Sequence, residues 1–596
     1  MEKLIFLDFE EFRKLKDFNT NNIILLDYPP KDFLNFPLEK IEKHNIEEFY
    51  PIKLLKNVEN RSEILLEKFY YNFKNKFIYR NVDLSSLIKN YLSFYFVTLV
   101  KYVDILNYIV KNKHPEKIYI TYHQNKKGSI FLDNSELFLS VLKEICSVNK
   151  IPIEVNIINK KDKLSNFKIK NSLINVLGLF QNVYLKITLS KNNKKNILFI
   201  GGKNAYLSIL RYLKGKAKIL RCGTVPGLSF FNSDQDYYLT FWNKPKYNSI
   251  KFSKINFYET IKNIEYKGYS FYNIFLDSLD YLFDVYFKIL VRWIDASYSI
   301  EPHINAVVAT NDILPLEQII IKVLKQNKKS SYLIEHGYTT LSDNLFLVEN
   351  KKFKMLTDKM FVWGKESKRW FIKQGLRKEN LIITGSPKFD NYYNREKINI
   401  RKEFNIPIDK KIILFIAPTN KEGERDYPKY FLSNKEHTEL YRTVFSTINK
   451  MNEFILIVKP HPSDSHVNLP KKILEDENVK NIIILDKNFQ LNSLLEQSDL
   501  IMSAGSTVNL EAMFFKKPIL ILNFFNKPNS DPFIDKGMCL GLNNKGKLKE
   551  MILKSFKNKK KLVDNYSKDF NDYALHDGKA YKRISDILLE KNNNKI

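Results

Sequence analysis

Short apolar runs alternate with longer amphipathic stretches along the first half of the chain. Each short run is apolar throughout, which is typical of strands that are buried on both faces of a parallel sheet. The longer stretches have the length and aromatic content of helices that cover such a sheet. The pattern predicts strands at residues 22–27, 117–121, 196–200 and 306–310, and long helices at 84–110 and 269–294.

The alternation continues in the second half with shorter connections. Strands that alternate with helices indicate an α/β fold, here with a second doubly wound parallel sheet. The pattern predicts strands at 360–362, 381–384, 412–416, 454–458, 481–485, 500–503 and 518–522, and helices at 366–374, 437–450, 491–497 and 507–515.

A charged stretch at residues 350–357 separates the two halves. We therefore expect an N-terminal Rossmann-like domain with helical insertions over residues 1–350 and a C-terminal Rossmann-like domain over 351–547. The basic residues 548–596 are expected to form a helical tail that packs back on the N-terminal domain.

Composition narrows the class of protein. A chain of 596 residues is too long for one hydrophobic core, and its 14% aromatic content excludes a disordered chain. The three cysteines lie far apart, so neither a disulfide framework nor a zinc cluster is expected. Acidic residues near the N-terminus argue against a secretory signal, which favours a cytoplasmic location. The most apolar segment, residues 91–100, is about half the ~20 residues of a membrane-spanning helix and is interpreted as a buried helix.

The chain is strongly basic, with a formal net charge of +30. Such an excess favours binding to phosphates on a nucleotide, a nucleic acid or an anionic membrane surface. The bias of an AT-rich genome toward lysine, asparagine and isoleucine explains the same excess equally well.

Polar residues are concentrated where the predicted C-terminal strands end, which is where open parallel sheets bind ligands. In the loop after residues 500–503, small residues would let backbone N–H groups approach an anion at the start of a helix, although simple helix capping explains the same residues. His461 stands between two prolines, so its ring can be held rigidly against a phosphate oxygen; a structural histidine is the alternative. The candidates for binding a phosphorylated ligand are Gly385, Ser386, Thr419, Lys459, His461, Ser503, Gly505, Ser506 and Thr507.

A second group of candidates follows two strands of the N-terminal half. Glu335 or His336 could take a proton from an acceptor hydroxyl, and Gly337 would allow a ligand to come close. Asn311 and Asp312, after the preceding strand, are expected to line the same cleft. A histidine that merely satisfies an interdomain contact is the alternative.

Several common catalytic and nucleotide-binding motifs are missing from the sequence. It contains no GxxxxGK[ST], GxGxxG, HExxH or GxSxG, so the parts of a P-loop, a dinucleotide site, a zincin and a hydrolase elbow are not present. Asp234-Gln235-Asp236 has metal-ligand spacing, but such pairs are common by chance in a chain that is 27% charged. We therefore predict no metal site and no cofactor.

These motifs resemble those of the bacterial capsule and surface-polysaccharide transferases of GT-B fold. That grouping includes Kdo transferases, polysialyltransferases and CDP-glycerol glycerophosphotransferases. The resemblance implies two Rossmann-like domains that face a cleft, with the acceptor on the N-terminal side and the nucleotide donor on the C-terminal side. It rests on residues 334–337, 361–364, 383–390, 459–462 and 503–511.

The resemblance also implies roles for individual residues. His461 and the loop with Ser503, Ser506 and Thr507 resemble positions that hold the donor's phosphate. Glu511 resembles a carboxylate that holds the ribose, and a residue that begins a helix is the alternative. His336 resembles the acceptor-side histidine of a His-Gly motif. Polysialyltransferases have an acidic pair before the glycine, so the order Glu335-His336-Gly337 leaves the identity of the base open.

The implied function is transfer of a sugar from a nucleotide-activated donor to a surface glycan or glycolipid, by direct displacement without a metal. A CMP-linked acidic sugar is favoured as donor, and the basic surface allows peripheral contact with the anionic inner membrane. A nucleotide-sugar 2-epimerase is the nearest alternative. A basic nucleic-acid-binding protein is a second one, but no recognised nucleic-acid motif occurs, and nucleic acid is not expected as a partner.

Overall fold

The structure is a computed structural model. His336, Gly337, Thr419 and the triplet 234–236 lie outside the residues that it describes. Those residues are 3–7, 22–25, 43–45, 57–124, 134–159, 194–202, 205–223, 237–240, 258–259, 261–335, 354–393, 397–418, 432, 434–461, 468–476, 480–527 and 532–590.

The strands are short and mostly apolar. They are β1 Lys3–Leu7, β2 Asn22–Leu25, β3 Lys43–Asn45, β4 Ile78–Tyr79, β5 Val82–Asp83, β6 Lys117–Gln124, β7 Ile153–Asn159, β8 Asn196–Ile200, β9 Lys218–Gly223, β10 Tyr237–Thr240, β11 Glu265–Tyr266, β12 Tyr269–Ser270, β13 Ala306–Ala309, β14 Ser330–Ile334, β15 Lys359–Val362, β16 Leu381–Ile383, β17 Lys411–Ile416, β18 Phe454–Lys459, β19 Ile482–Ile484, β20 Leu500–Ser503, β21 Ile519–Leu522 and β22 Leu540–Leu542.

Helices connect most of these strands, and a π-helical turn at Leu282–Tyr286 joins the fifth helix to the sixth. The helices are α1 Val58–Phe73, α2 Leu84–Lys113, α3 Asn134–Val148, α4 Leu207–Leu213, α5 Phe271–Tyr281, α6 Phe287–Ile300, α7 Pro315–Gln326, α8 Lys365–Lys373, α9 Pro387–Tyr393, α10 Ile400–Glu403, α11 Asn434–Asn449, α12 Asn468–Asp476, α13 Leu491–Gln497, α14 Val508–Phe514, α15 Pro532–Asp535, α16 Leu548–Lys557, α17 Lys559–Ser567, α18 Phe570–Tyr573 and α19 Ala580–Leu589.

The chain divides into two compact units, and the first contains Met1–Phe180 and Trp242–Ser299. Its five-stranded sheet has the order β3-β2-β1-β6-β7, and all of its strands are parallel. Its helices pack through aromatic rings, with Phe69, Phe96 and Phe275 at centroid distances of 5.3 to 5.7 Å. The long helix α2 has a buried apolar side, as expected for residues 91–100. Among the described residues, no helix is both long and apolar enough to cross a bilayer.

The second unit contains Gln181–Phe241 and Ile300–Ile596 and holds two parallel sheets. The seven-stranded sheet has the order β10-β9-β8-β13-β14-β15-β16, and the six-stranded sheet has the order β19-β18-β17-β20-β21-β22. Numbered from its own first strand, the six-stranded sheet reads 3-2-1-4-5-6, which is the order of a Rossmann fold. The seven-stranded sheet reads 3-2-1-4-5-6-7. In each sheet the strand order reverses at one point, between β8 and β13 and between β17 and β20.

Both faces of the six-stranded sheet are covered. Along β17, Leu414 and Ile416 belong to one apolar cluster, whereas Ile413 and Phe415 belong to another. Successive side chains of a strand point to opposite faces, so two separate clusters mean that helices pack on both sides. The predicted α/β class with doubly wound parallel sheets is confirmed.

The assignment of strands to sheets differs from the sequence analysis in two ways. The strands predicted in the first half belong to two sheets in two units, with β2 and β6 in one and β8 and β13 in the other. Strands β15 and β16 were predicted in the C-terminal domain but pair in the seven-stranded sheet. The expected boundary at residue 350 therefore lies between two neighbouring strands, β14 and β15.

The last helix packs on the seven-stranded sheet. Ile584 and Leu588 of α19 lie in the same buried cluster as Phe199 and Val308. Tyr566 and Phe570, only a short distance earlier in the chain, lie in a core cluster of the six-stranded sheet. The segment between α18 and α19 therefore links the cores of the two sheets.

Candidate functional site

The candidate site lies at the carboxyl edge of the six-stranded sheet. β17 and β20 are neighbours at the point where the strand order reverses, and β18 lies next to β17. Open α/β sheets bind ligands outside the carboxyl ends of their strands at such a point. The topology thus brings the segment that follows β18 and the loop that follows β20 to one edge, as the sequence predicted for His461 and Ser503–Thr507.

Lys459 ends β18 and is buried. Its Nζ donates to the carbonyl oxygen of Lys487 at 2.6 Å and to that of Pro460 at 3.1 Å. Burial lowers the pKa of the Lys459 ammonium, and the nearby Asp486 partly opposes that shift. The contacts of Lys459 in this structure are therefore structural, since they fix the strand end from which half-buried His461 follows.

The loop after β20 turns through a glycine before α14 begins. Gly505 is exposed and has φ +83°, a left-handed conformation that favours glycine. The Ser503 hydroxyl is fully buried and donates to Asn509 Oδ1 at 2.8 Å, whereas Ser506 Oγ accepts from the Val508 N–H at 3.2 Å. The side chains of Ser503 and Ser506 thus shape the turn, and Thr507, half-buried, immediately precedes α14.

Glu511 lies in the first turn of α14 and is 2% exposed. One of its carboxylate oxygens is ion-paired with Lys388 Nζ, and the other accepts a hydrogen bond from the Tyr392 hydroxyl. Both partners lie on α9, which follows the last strand of the seven-stranded sheet. The sequence analysis did not find this contact, because nothing in either segment specifies the other.

Gly385 and Ser386, predicted to bind the donor, are both buried, and Gly385 lies against the C-terminal segment. A Cβ atom placed on Gly385 would lie 2.3 Å from the carbonyl oxygen of Leu575. The neighbouring Asp390 carboxylate accepts from the backbone N–H of Tyr581 at 2.7 Å, and Arg583 Nε donates to the Thr384 carbonyl at 2.8 Å. These contacts explain Gly385 and Asp390 without a ligand.

Glu335, one of the two predicted bases, is 2% exposed at the end of β14. Its Oε2 accepts from the Trp363 backbone N–H at 2.7 Å, and its Oε1 accepts from the Ser367 hydroxyl at 2.9 Å. The indole N–H of Trp363 also donates to the Glu335 carbonyl at 3.0 Å. Both carboxylate oxygens thus connect β14 to the start of α8.

Asn311 and Asp312, predicted to face the acceptor, shape the loop after β13. Asn311 Oδ1 accepts from the N–H of Ile313 at 2.7 Å, and Asp312 Oδ2 accepts from the N–H of Leu356 at 2.8 Å. Burial raises the pKa of the Asp312 carboxyl, although hydrogen bonds from backbone N–H groups, first that of Leu356, oppose the shift.

One titratable residue after a strand of the seven-stranded sheet was missed by the sequence analysis. Glu317 lies in the first turn of α7, just beyond the point where the strand order of the seven-stranded sheet reverses. Burial raises the pKa of its carboxyl to about 7. No motif surrounds Glu317, so only the fold could reveal it.

Comparison with known proteins identifies a related family. Residues 337–527 match the family model of CDP-glycerol:poly(glycerophosphate) glycerophosphotransferase. The minor teichoic acid biosynthesis protein GgaB of Bacillus subtilis is 24% identical over 277 residues, which are 44% of this chain and 29% of GgaB. The teichoic acid glycerol-phosphate primase of Bacillus spizizenii is 25% identical over 236 residues, 37% of this chain and 54% of the primase. The chain thus aligns with about half or less of the length of these relatives.

Solved structures with similar folds include two kinds of enzyme. A UDP-N-acetylglucosamine 2-epimerase from Listeria monocytogenes has a TM-score of 0.44 and 16% identity, covering 66% of this chain and 95% of its own. The wall teichoic acid polymerase TagF has a TM-score of 0.40 and 15% identity, covering 71% of this chain and 97% of its own.

The sequence similarities are to a glycerophosphotransferase family and to two proteins of teichoic acid biosynthesis, in line with the surface-polysaccharide transferases that the sequence analysis expected. They agree with the glycerophosphotransferase branch of the predicted grouping. They give no support to a CMP-linked acidic sugar as the donor.

Proposed function

We propose that this chain transfers a glycerol phosphate group from CDP-glycerol to a hydroxyl of a cell-surface polymer. The observation that carries the proposal is the meeting of the β18 end and the β20 loop at the reversal point of a Rossmann-type sheet, inside the segment that matches the glycerophosphotransferase family. A cytidine nucleotide is the ligand that this edge would hold.

The proposed reaction is a single displacement at phosphorus. A hydroxyl of the acceptor attacks the phosphorus that carries the glycerol, and a new P–O bond forms. The bond from that phosphorus to the bridging oxygen breaks, and CMP leaves with the electron pair. His336 takes the proton of the hydroxyl. His461 and the N–H groups of the β20 loop offset the charge that develops on CMP, a kind of stabilisation that is worth about 3 kcal/mol for each donor.

The surroundings of Glu335 support the assignment of the base to His336. In the pair Glu335-His336, the carboxylate of Glu335 accepts hydrogen bonds from Trp363 and Ser367, and the residue is only 2% exposed, so a substrate has little access to its remaining lone pairs. A base that must take a proton from a bound hydroxyl needs a lone pair that is available to the substrate. The histidine is the remaining member of the pair.

The test measures CMP release from CDP-glycerol by the purified full chain, with and without a glycerol phosphate oligomer as acceptor. We expect release that depends on the acceptor, and a loss of about 10²-fold or more in turnover for His461→Ala. His114→Asn serves as the control, since it removes an exposed histidine from a left-handed helix end where asparagine is well tolerated. Isomerisation of UDP-N-acetylglucosamine in place of transfer would favour an epimerase. Transfer from a CMP-linked acidic sugar but not from CDP-glycerol would show that the sugar nucleotide is the donor.

The proposal places the reaction at the cytoplasmic face of the inner membrane. The net charge of +30 supports this location, because both a polymer of glycerol phosphate and an anionic leaflet carry negative charge. Sedimentation of the chain with anionic but not neutral vesicles is the expected result.

A further inference from the structure

Lys388 occupies the position at which the two sheets of the second unit meet. It is the second residue of α9, whose first residue follows the loop at the carboxyl end of β16. Its Nζ forms an ion pair with Glu511 in the first turn of α14, which follows the carboxyl end of β20. The Lys388–Glu511 pair therefore joins the carboxyl edges of the seven-stranded and six-stranded sheets.

The ion pair lies within reach of the β20 loop. Glu511 is three residues beyond the first residue of α14, and a helix rises about 1.5 Å per residue, so its Cα is only about 4.5 Å along the axis from that first residue. Helical side chains lean toward the N-terminus of their helix, which brings the carboxylate closer still to Gly505–Thr507. Thr507 lies four residues before Glu511 and hence on the same face.

The two partners differ in exposure. The Glu511 side chain is 2% exposed, whereas the Lys388 side chain is 44% exposed. An ammonium group has three N–H donors, and Glu511 accepts one of them. The described residues provide no acceptor for the other two. A positive charge with unused donors thus remains at the solvent side of a buried carboxylate, next to the loop proposed to receive a phosphate.

We propose that Lys388 binds the diphosphate of the nucleotide donor while Glu511 holds it in place. This inference rests on the proposed function and names a donor contact within it. Lys388 belongs to the segment 385–390, whose other residues are all buried, so this lysine is the member of the segment that remains accessible to a ligand. Glu511 then acts as a positioning residue, since its own oxygens are engaged by Lys388 and Tyr392.

The experiment measures the dissociation constants of CDP and of cytidine for the full chain by calorimetry or competition. The ratio of the two constants isolates the contribution of the phosphates. We expect Lys388→Met to weaken CDP binding by about tenfold with little change for cytidine, which is the effect of losing one charge-assisted hydrogen bond. Lys388→Arg should retain most of the CDP affinity.

Two further variants keep the test decisive. Lys397→Met is the matched control, since it removes a lysine from an exposed ion pair with Glu496 and changes the net charge equally; its CDP affinity should match that of the wild type. If Lys388→Met fails to fold because it leaves Glu511 buried and unpaired, the double variant Lys388→Met/Glu511→Gln removes the buried charge as well. It should show the same tenfold loss in the ratio.

The outcomes separate this inference from the proposed function. A Lys388→Met variant that loses CDP and cytidine affinity equally, or that keeps both, overturns the phosphate contact while CDP binding by the wild type still supports the donor site. A wild-type chain that binds neither ligand overturns both.

Discussion

Replacement of Glu335 by glutamine decides which member of the Glu335-His336 pair is the base. Glutamine has nearly the same shape as glutamate, so it can keep one acceptor oxygen toward the Trp363 N–H, while the Ser367 hydroxyl can rotate to accept from the new amide. The substitution removes the negative charge that strengthens two hydrogen bonds to Glu335, a residue that is 2% exposed. A cost of about 1 kcal/mol in folding stability is expected.

The two hypotheses differ by orders of magnitude in rate. If Glu335 is structural, Glu335→Gln should keep kcat within a few-fold of the wild type, and His336→Ala should lose the 10²- to 10⁴-fold that a general base typically contributes, or about 3 to 5 kcal/mol. Glu335→Ala should instead destabilise the protein by about 3 kcal/mol, because it leaves two buried donors without an acceptor.

The assay is acceptor-dependent CMP release at saturating CDP-glycerol, combined with thermal unfolding of each variant. A Glu335→Gln variant that unfolds like the wild type but has lost 10²-fold or more in kcat would show that the carboxylate is the base. Retained activity in His336→Ala would equally exclude the histidine as the base.

Three other substitutions test the surroundings of the site. The pKa of Glu317 is raised from 4.5 to about 7, so the folded chain keeps a proton between these pH values that the unfolded chain releases, and stability falls as pH rises through them. Glu317→Gln should therefore be more stable than the wild type by about 3 kcal/mol in unfolding at pH 8 and nearly equal to it at pH 4.5. Asp390→Ala removes the carboxylate that caps α19, so it should cost about 1 to 2 kcal/mol and make Ala580–Leu589 more accessible to proteolysis. Gly364→Ala should lower the thermal midpoint, with a cost of about 2 kcal/mol, since its new Cβ would lie 2.3 Å from the Asp572 carbonyl.

Strands were well predicted from the sequence where they are apolar throughout. The prediction of 412–416 matches β17 at Lys411–Ile416, and that of 500–503 matches β20 at Leu500–Ser503. A strand that is buried on both faces is a continuous apolar run in the sequence, because neither set of alternating side chains can be polar. Short β22, Leu540–Leu542, was missed because its glycine interrupts such a run.

The partners of a strand were much harder to predict. β15 and β16 have the same apolar character as β17, but β15 pairs with β14 and β16 pairs with β15, both in the seven-stranded sheet rather than in the six-stranded sheet. An apolar run indicates that a strand is buried but not which strand it pairs with. The expected boundary therefore fell between β14 and β15. The charged stretch at 350–357 marks a connection inside one sheet.

The same limit applies to the site. The loops after β18 and β20 were predicted correctly as strand ends, because proline, glycine and serine follow an apolar run directly. The partners of Asp390, Gly364 and Gly385 lie about 200 residues away in the sequence, and no local pattern reveals contacts of that kind. Motif resemblance recognised these residues but could not say what they touch.

Contacts with the C-terminal segment give Trp363, Gly364 and Gly385 a structural role. Trp363 accepts from the Leu575 N–H at 2.9 Å through its carbonyl, and Gly364 and Gly385 leave room for the carbonyls of Asp572 and Leu575. On one side of this crossing the chain packs into the core of the six-stranded sheet, and on the other α19 packs on the seven-stranded sheet. Residues near Trp363 and Gly385 therefore hold the connection between the two sheets. Their substitution would alter how the carboxyl edges meet at Lys388 and Glu511, and activity would fall through that change in geometry.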